Sequence, residues 1–172
     1  MAAMTTRLRG KWALGIAPRN LTWVIGDRLA ICERPGGCGA NHRRVRRQEE
    51  IIWLRENNFS CVVSVLAAPH NLHNYEEMGV QCLHRPVIGV EEINEPLVRL
   101  FTDLRELLRA GSRILVHADE VNDDLIGVVG SYIRWEGLVE DPVETIMIAE
   151  RIGGRQLDPA SRELIMRVHE LR

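Results

Sequence analysis

The sequence predicts a single α/β domain: a central, mostly parallel sheet flanked by helices. Short apolar runs alternate with stretches of helical periodicity, the pattern of strands joined by crossover helices. Glycine, proline and asparagine punctuate the joins. The 172 residues suit one hydrophobic core, and 45% hydrophobic with 27% charged residues is an ordinary globular balance.

Residues 1–19 contain basic but no acidic side chains and no continuous apolar stretch. They read as a loose tail without a secretory signal, ahead of a domain over 20–172. "NLTWVIGDRLAIC" (20–32) reads as a β-hairpin turning near Gly26-Asp27. "ERPGGCGAN" (33–41) is a glycine-rich loop. The next segment, 42–58, reads as a helix with Val45, Ile51, Ile52 and Leu54 on its apolar side. "SCVVSVL" (60–66) is a buried strand, bounded by Asn57-Asn58 and Pro69. A short helix over 71–79 stops at Gly79, and "VQCLHRPV" (80–87) is the following strand. Leu97, Leu100, Phe101, Leu104, Leu107 and Leu108 recur at three and four, which predicts a helix over 93–110 ended by Gly111. A strand at 113–117, a loop and a helix over 124–136 come next. Two more helices follow, 141–151 and 158–171, the second entered through Asp158-Pro159 as cap and first helical position.

Several function classes are disfavoured at this level. A net charge of -2 exerts no global pull toward nucleic acid or membrane. No apolar run approaches the roughly 20 residues needed to span a bilayer. Four cysteines do not make a disulfide framework; Cys61 and Cys82 lie in apolar strand patterns and read as reduced core residues, so the cytoplasm is the expected compartment. The run "RRVRR" (43–47) reads as a solvated helix face partly neutralised by Glu49 and Glu50, or as a basic patch for phosphate. No interleaved aromatics accompany it, which disfavours nucleic acid.

The segment most relevant to function is "ILVHADEVNDDLIGVVGSYIRW" (114–135). A strand, a tight loop and a helix in that order usually make an anion site, because free helix N–H groups face the loop. Here the loop carries four carboxylates, Asp119, Glu120, Asp123 and Asp124. In parallel sheets ligands bind at the carboxyl ends of strands, where this loop falls.

The order of elements resembles the small atypical dual-specificity phosphatases over roughly residues 20–170. "NLTWVIGDRLAICERPG" is similar to that family's opening hairpin and loop. "GVQCLHRPVIGV" is similar to the strand leading to its general-acid loop. "RILVHADEVNDDLIGVVGSYIRWEGL" is similar to its phosphate-binding strand, loop and helix, and "DPVETIMIAERIGG" to the next helix. The family's signature is His-Cys, five residues, then Arg. The thiolate attacks phosphorus, loop amides and the arginine hold the oxygens, and an aspartate on another loop protonates the leaving group. On this sequence His117 matches the signature histidine, and the resemblance implies that it orients the loop by hydrogen bonding. Ala118 stands at the nucleophile position, Asp124 at the arginine position and Gly89 near the general acid, with Glu91 and Glu92 as displaced candidates. The resemblance therefore implies a degenerate signature and a pseudophosphatase.

Charge arithmetic points the same way. One pair of unit charges about 4 Å apart costs on the order of 4 kcal/mol at an effective dielectric of ~20. A helix terminus returns about 0.3–1 kcal/mol, ~2 at best. Several such repulsions win, and the loop should reject phosphate. The expected function is a regulatory or scaffolding module with a protein partner and no cofactor, metal or membrane. The binding candidates are His117, Asp119, Glu120, Asp123, Asp124, Arg34, Arg43 and Arg44. Within that set, Arg34, Arg43 or Arg44 is expected to pair with Asp119, Glu120 or Asp123, which would offset the unfavourable arginines at a helix N-terminus. Capping alone is a simpler role for the loop, with Asn122 or Asp123 as N-cap. Two rival readings stand beside these. In one, His117, Asp119, Glu120 and Asp123 hold a divalent ion and the protein is a hydrolase. In the other, a phosphatase uses Cys32 or Cys38 with arginines of 34–47.

Overall fold

The computed structural model describes residues 14–87, 89 and 95–171. Strands β1 (Thr22–Ile25) and β2 (Leu29–Glu33) form the predicted hairpin, with Asp27 in the left-handed region at φ 57°. Helix α1 (Arg44–Glu56), strand β3 (Cys61–Ser64), helix α2 (His73–Glu77), strand β4 (Gln81–His84) and helix α3 (Glu95–Arg109) follow. Strand β5 (Ile114–Ala118) then runs through the loop into α4 (Asp123–Trp135), followed by α5 (Pro142–Gly153), α6 (Pro159–Arg167) and a 3-10 turn over Val168–Leu171.

The sheet order is β1-β2-β5-β3-β4. The β1–β2 pair is antiparallel and every other pair is parallel. This is the α/β architecture that the alternation of apolar runs predicts, with β5 at the centre. Strand residues alternate between the two faces. Ile114 and Val116 join the larger core under α3, α4 and α6, with Leu100, Phe101, Tyr132 and Ile165. Leu115 joins the smaller core under α1 and α2, with Ile51, Leu54, Phe59 and Tyr75.

Helix α4 packs closely on α5 and α6 because its contact face is small. A Cβ on Gly127 would lie 2.8 Å from Cβ of Ser161, and one on Gly130 would lie 2.9 Å from Cδ1 of Ile165. Side-chain caps fix three of the helices. Asn122 accepts from the N–H of Leu125, Asp141 from Glu144 and Asp158 from Ser161. The N-cap of α1, Arg43, offers no such cap.

Two readings of the sequence change. Val45, expected on the apolar side of α1, is 69% exposed, and buried Arg47 and Glu50 occupy part of that side instead. The reason is specific to Glu50: its carboxylate accepts from the Gly36 N–H at 2.7 Å and from Arg46 Nε at 2.6 Å, which compensates its burial. The end of the segment expected to be a loose tail is attached to the domain. The Ile16 N–H donates to the Glu49 carbonyl and the Glu33 N–H to the Arg19 carbonyl, at 3.1 and 3.0 Å.

Candidate functional site

The β5–α4 loop sits at the carboxyl edge of the sheet, between the ends of β2 and β3. Parallel register sets Cys32, Ser64 and His117 side by side on one face of that edge. It sends Ala118 to the other face, beneath the start of α4. There Ala118, Gly89, Asn122, Asp124, Val65, Val87, Leu125 and Val128 line a cavity of about 90 Å³. The cavity is small and of mixed polarity, with Asn122 and Asp124 among its lining residues. Glu91 and Glu92, the displaced-acid candidates, lie outside the described residues.

The acidic loop is tied down by arginines on two sides. Arg34 donates through Nη1 to Asp119 Oδ1 and through Nη2 to the His70 carbonyl, both at 3.3 Å. It thereby joins the β2, β3 and β5 edges, as the expected arginine–acid pairing requires. Arg155 donates through Nε to Asp123 Oδ1 at 2.7 Å and through Nη2 to the Val121 carbonyl at 3.0 Å. The Asp158 N–H donates to Asp123 Oδ2, and the Ser161 hydroxyl to the Asp123 carbonyl, both at 3.0 Å. Asp123 is therefore a junction between α4 and the start of α6. Arg34 and Arg155 each neutralise one of the loop's carboxylates, while Asp119 and Glu120 stay exposed.

Arg34 is the member of the expected arginine set that makes the pairing, and the hydrogen-bonding role of His117 is corrected. Arg43 does not reach the acidic loop; its Nη1 donates to the carbonyls of Ala40 and His42, at 3.0 and 2.8 Å. Arg44 is exposed and pairs with no carboxylate among the described residues. His117 does not orient the loop by a well-formed hydrogen bond. Its ring is fully buried on the α1–α2 face, stacked on Tyr75 at a centroid distance of 6.0 Å. Neither ring nitrogen has a well-aligned partner among the described residues; the contact to the Ala118 backbone falls short of good geometry. Burial pushes the His117 pKa down to about 3, so the ring is neutral.

These placements bear on both rival chemistries. Among the described residues no group of three or more His, Cys, Asp or Glu is gathered to hold a metal ion. His117 points to the opposite face from Ala118, while Asp119 and Asp123 are drawn to separate arginines. Cys32 is fully buried, and burial followed by the charges of Glu50 and Glu33 raises its thiol well above the ordinary range. It is not a thiolate nucleophile.

Arg155 is the site residue that the sequence does not disclose. It lies 32 positions from Asp123, in a segment with no pattern of its own. Packing of the α5–α6 turn against the α4 N-terminus brings the two together.

No family model matches the chain, and no curated protein matches it. Solved structures do. Kinase associated phosphatase (KAP), with its catalytic-site cysteine substituted by serine, superposes with a TM-score of 0.74 at 16% identity, over 91% of this chain and 95% of that one. The chain has the fold of the dual-specificity and tyrosine phosphatases. The core catalytic domain of the PP-IP phosphatase SIW14 from S. cerevisiae, in complex with citrate, matches at 0.63 and 17% identity, over 88% and 87% of the two chains. Human DUSP28 matches at 0.62 and 16% identity, over 90% and 97%. The phosphatase-like fold thus extends over almost the whole chain, and these identities establish the fold alone.

Proposed function

We propose that this phosphatase-fold protein has no phosphatase chemistry and works as a regulatory or scaffolding module that binds a protein partner. One observation carries the reading. At the strand end and helix start where the family resemblance calls for cysteine and arginine, the chain has Ala118 and Asp124 around a cavity of only about 90 Å³. No sulfur is available to attack phosphorus, and no guanidinium at that position holds the oxygens. Exposed Asp119 and Glu120 leave an acidic rim, which fits an arginine-rich segment of a partner by charge complementarity.

The test is hydrolysis of an aryl phosphate by the purified chain, with vanadate binding measured in parallel. The expected result is hydrolysis at the buffer rate, unaffected by reducing agent, and no vanadate at residues 119–124. Chelator-insensitive turnover, or vanadate held by those loop amides, would overturn the proposal. The carboxylate-metal alternative predicts a rise in melting temperature with millimolar divalent ion that Asp119→Asn abolishes; the dispersed carboxylates give it no geometric support.

A further inference from the structure

The arginine run at the start of α1 is not explained by the site above. Arg43 is the N-cap without a side-chain cap, and no acidic residue lies in the first turn. The N–H groups of Arg44, Val45 and Arg46 find no acceptor among the described residues. A helix N-terminus is already positive, so Arg43, Arg44, Arg46 and Arg47 are poorly placed for a helix that meets only solvent.

Arg47 supplies the independent observation. It is only 7% exposed, and its buried Nε has no hydrogen-bond partner. Side chains of a helix lean toward its N-terminus. Arg47 does so, and its Nη1 meets Nε2 of His42, two residues before the helix. The neighbouring acid, Glu50, is already engaged by Arg46 and the Gly36 N–H. Among the described residues, then, no carboxylate neutralises the interior Arg47 charge. Burial of a cation without a counter-charge is costly.

We infer that the N-terminus of α1 is a binding site for a phosphomonoester carried by a phosphorylated protein segment. The amides of Arg44, Val45 and Arg46 face the oxygens, Arg43 and Arg44 supply exposed charge, and Arg47 provides positive potential from beneath. Exposed Val45 gives an adjacent peptide side chain an apolar contact. The basic groups come from little more than one helical turn, which matches a single phosphate better than a polyanionic backbone. The site shares no residue with the 118–124 loop and does not depend on the absence of catalysis there.

The experiment is a titration of the full chain with inorganic phosphate, followed by amide NMR. Saturable shifts at Arg44, Val45 and Arg46, without matching shifts at 119–124, are expected. Arg44→Glu puts an acid where the helix dipole favours one, so the fold should hold. It should weaken phosphate binding by roughly tenfold or more through loss of a charge-assisted contact and added repulsion. A phosphoserine peptide should bind the wild type, and its unphosphorylated form should not. Unmoved amides at 44–46, or undiminished binding by Arg44→Glu, would refute the site. Tighter binding of a single-stranded oligonucleotide than of the phosphopeptide would refute the assigned partner.

Discussion

At the residue scale, His117 shows how an expected functional group can become a structural liability. The ring sits between Cys32 and Ser64 in register and under Tyr75, without a good partner for either nitrogen. A buried polar group without hydrogen bonds costs stability, and an apolar ring of similar shape removes that cost. His117→Phe should therefore fold with unchanged or higher stability at pH 7, measured by urea unfolding. The pH dependence has a definite sign. The unfolded ring titrates near 6.5, whereas the folded ring is held down to about 3. Below 6.5 the unfolded state binds the extra proton, so His117's contribution is complete above pH 6.5 and erodes from there down to about pH 3. Between pH 7 and 5 the loss should be about 2 kcal/mol. His117→Phe should remove that part of the acid sensitivity; an unchanged pH profile would refute the assignment.

At the element scale, the start of α4 is held by capping, an ion pair and close helix packing. Asn122→Ala removes the bond to the Leu125 N–H and should cost about 1 kcal/mol. Gly127→Ala brings a methyl to 2.8 Å from Cβ of Ser161 and should cost about 1–3 kcal/mol by overpacking. Thermal unfolding of both variants checks the order: a Gly127→Ala protein as stable as wild type would show that α6 yields. The caps Asn122 and Asp158 and the stop at Gly79 are legible in the sequence because each depends on residues within a few positions. The burial of Arg47 is not, because it depends on the Gly36 loop, which packs against Arg47 and donates to Glu50 of α1.

At the scale of the whole molecule, the proposed loss of chemistry is tested at Ala118, where the phosphatase-like fold would carry a nucleophile. In the resembling family a cysteine at this place is a stabilised thiolate. Here Ala118→Cys would place the sulfur in the small cavity that Asp124 also lines, one residue from exposed Asp119. Negative neighbours raise a thiol pKa. Iodoacetamide should alkylate the Ala118→Cys variant no faster than an ordinary exposed thiol at pH 7, and the variant should not hydrolyse aryl phosphate. Rapid alkylation at pH 6 would show that the loop amides outweigh the carboxylates.

The sequence by itself determined the alternation of strands and helices, the local caps and stops, and the residues Ala118 and Asp124. Those are properties of periodicity, short-range hydrogen bonding and residue identity, which need no knowledge of distant neighbours. The tertiary structure decided which carboxylates are compensated. Arg34 and Arg155 reach Asp119 and Asp123 across 85 and 32 positions. It also decided that His117 and Ala118, adjacent in sequence, serve opposite faces of the sheet. Both outcomes follow from strand register and helix packing, which bring distant residues together and separate neighbours.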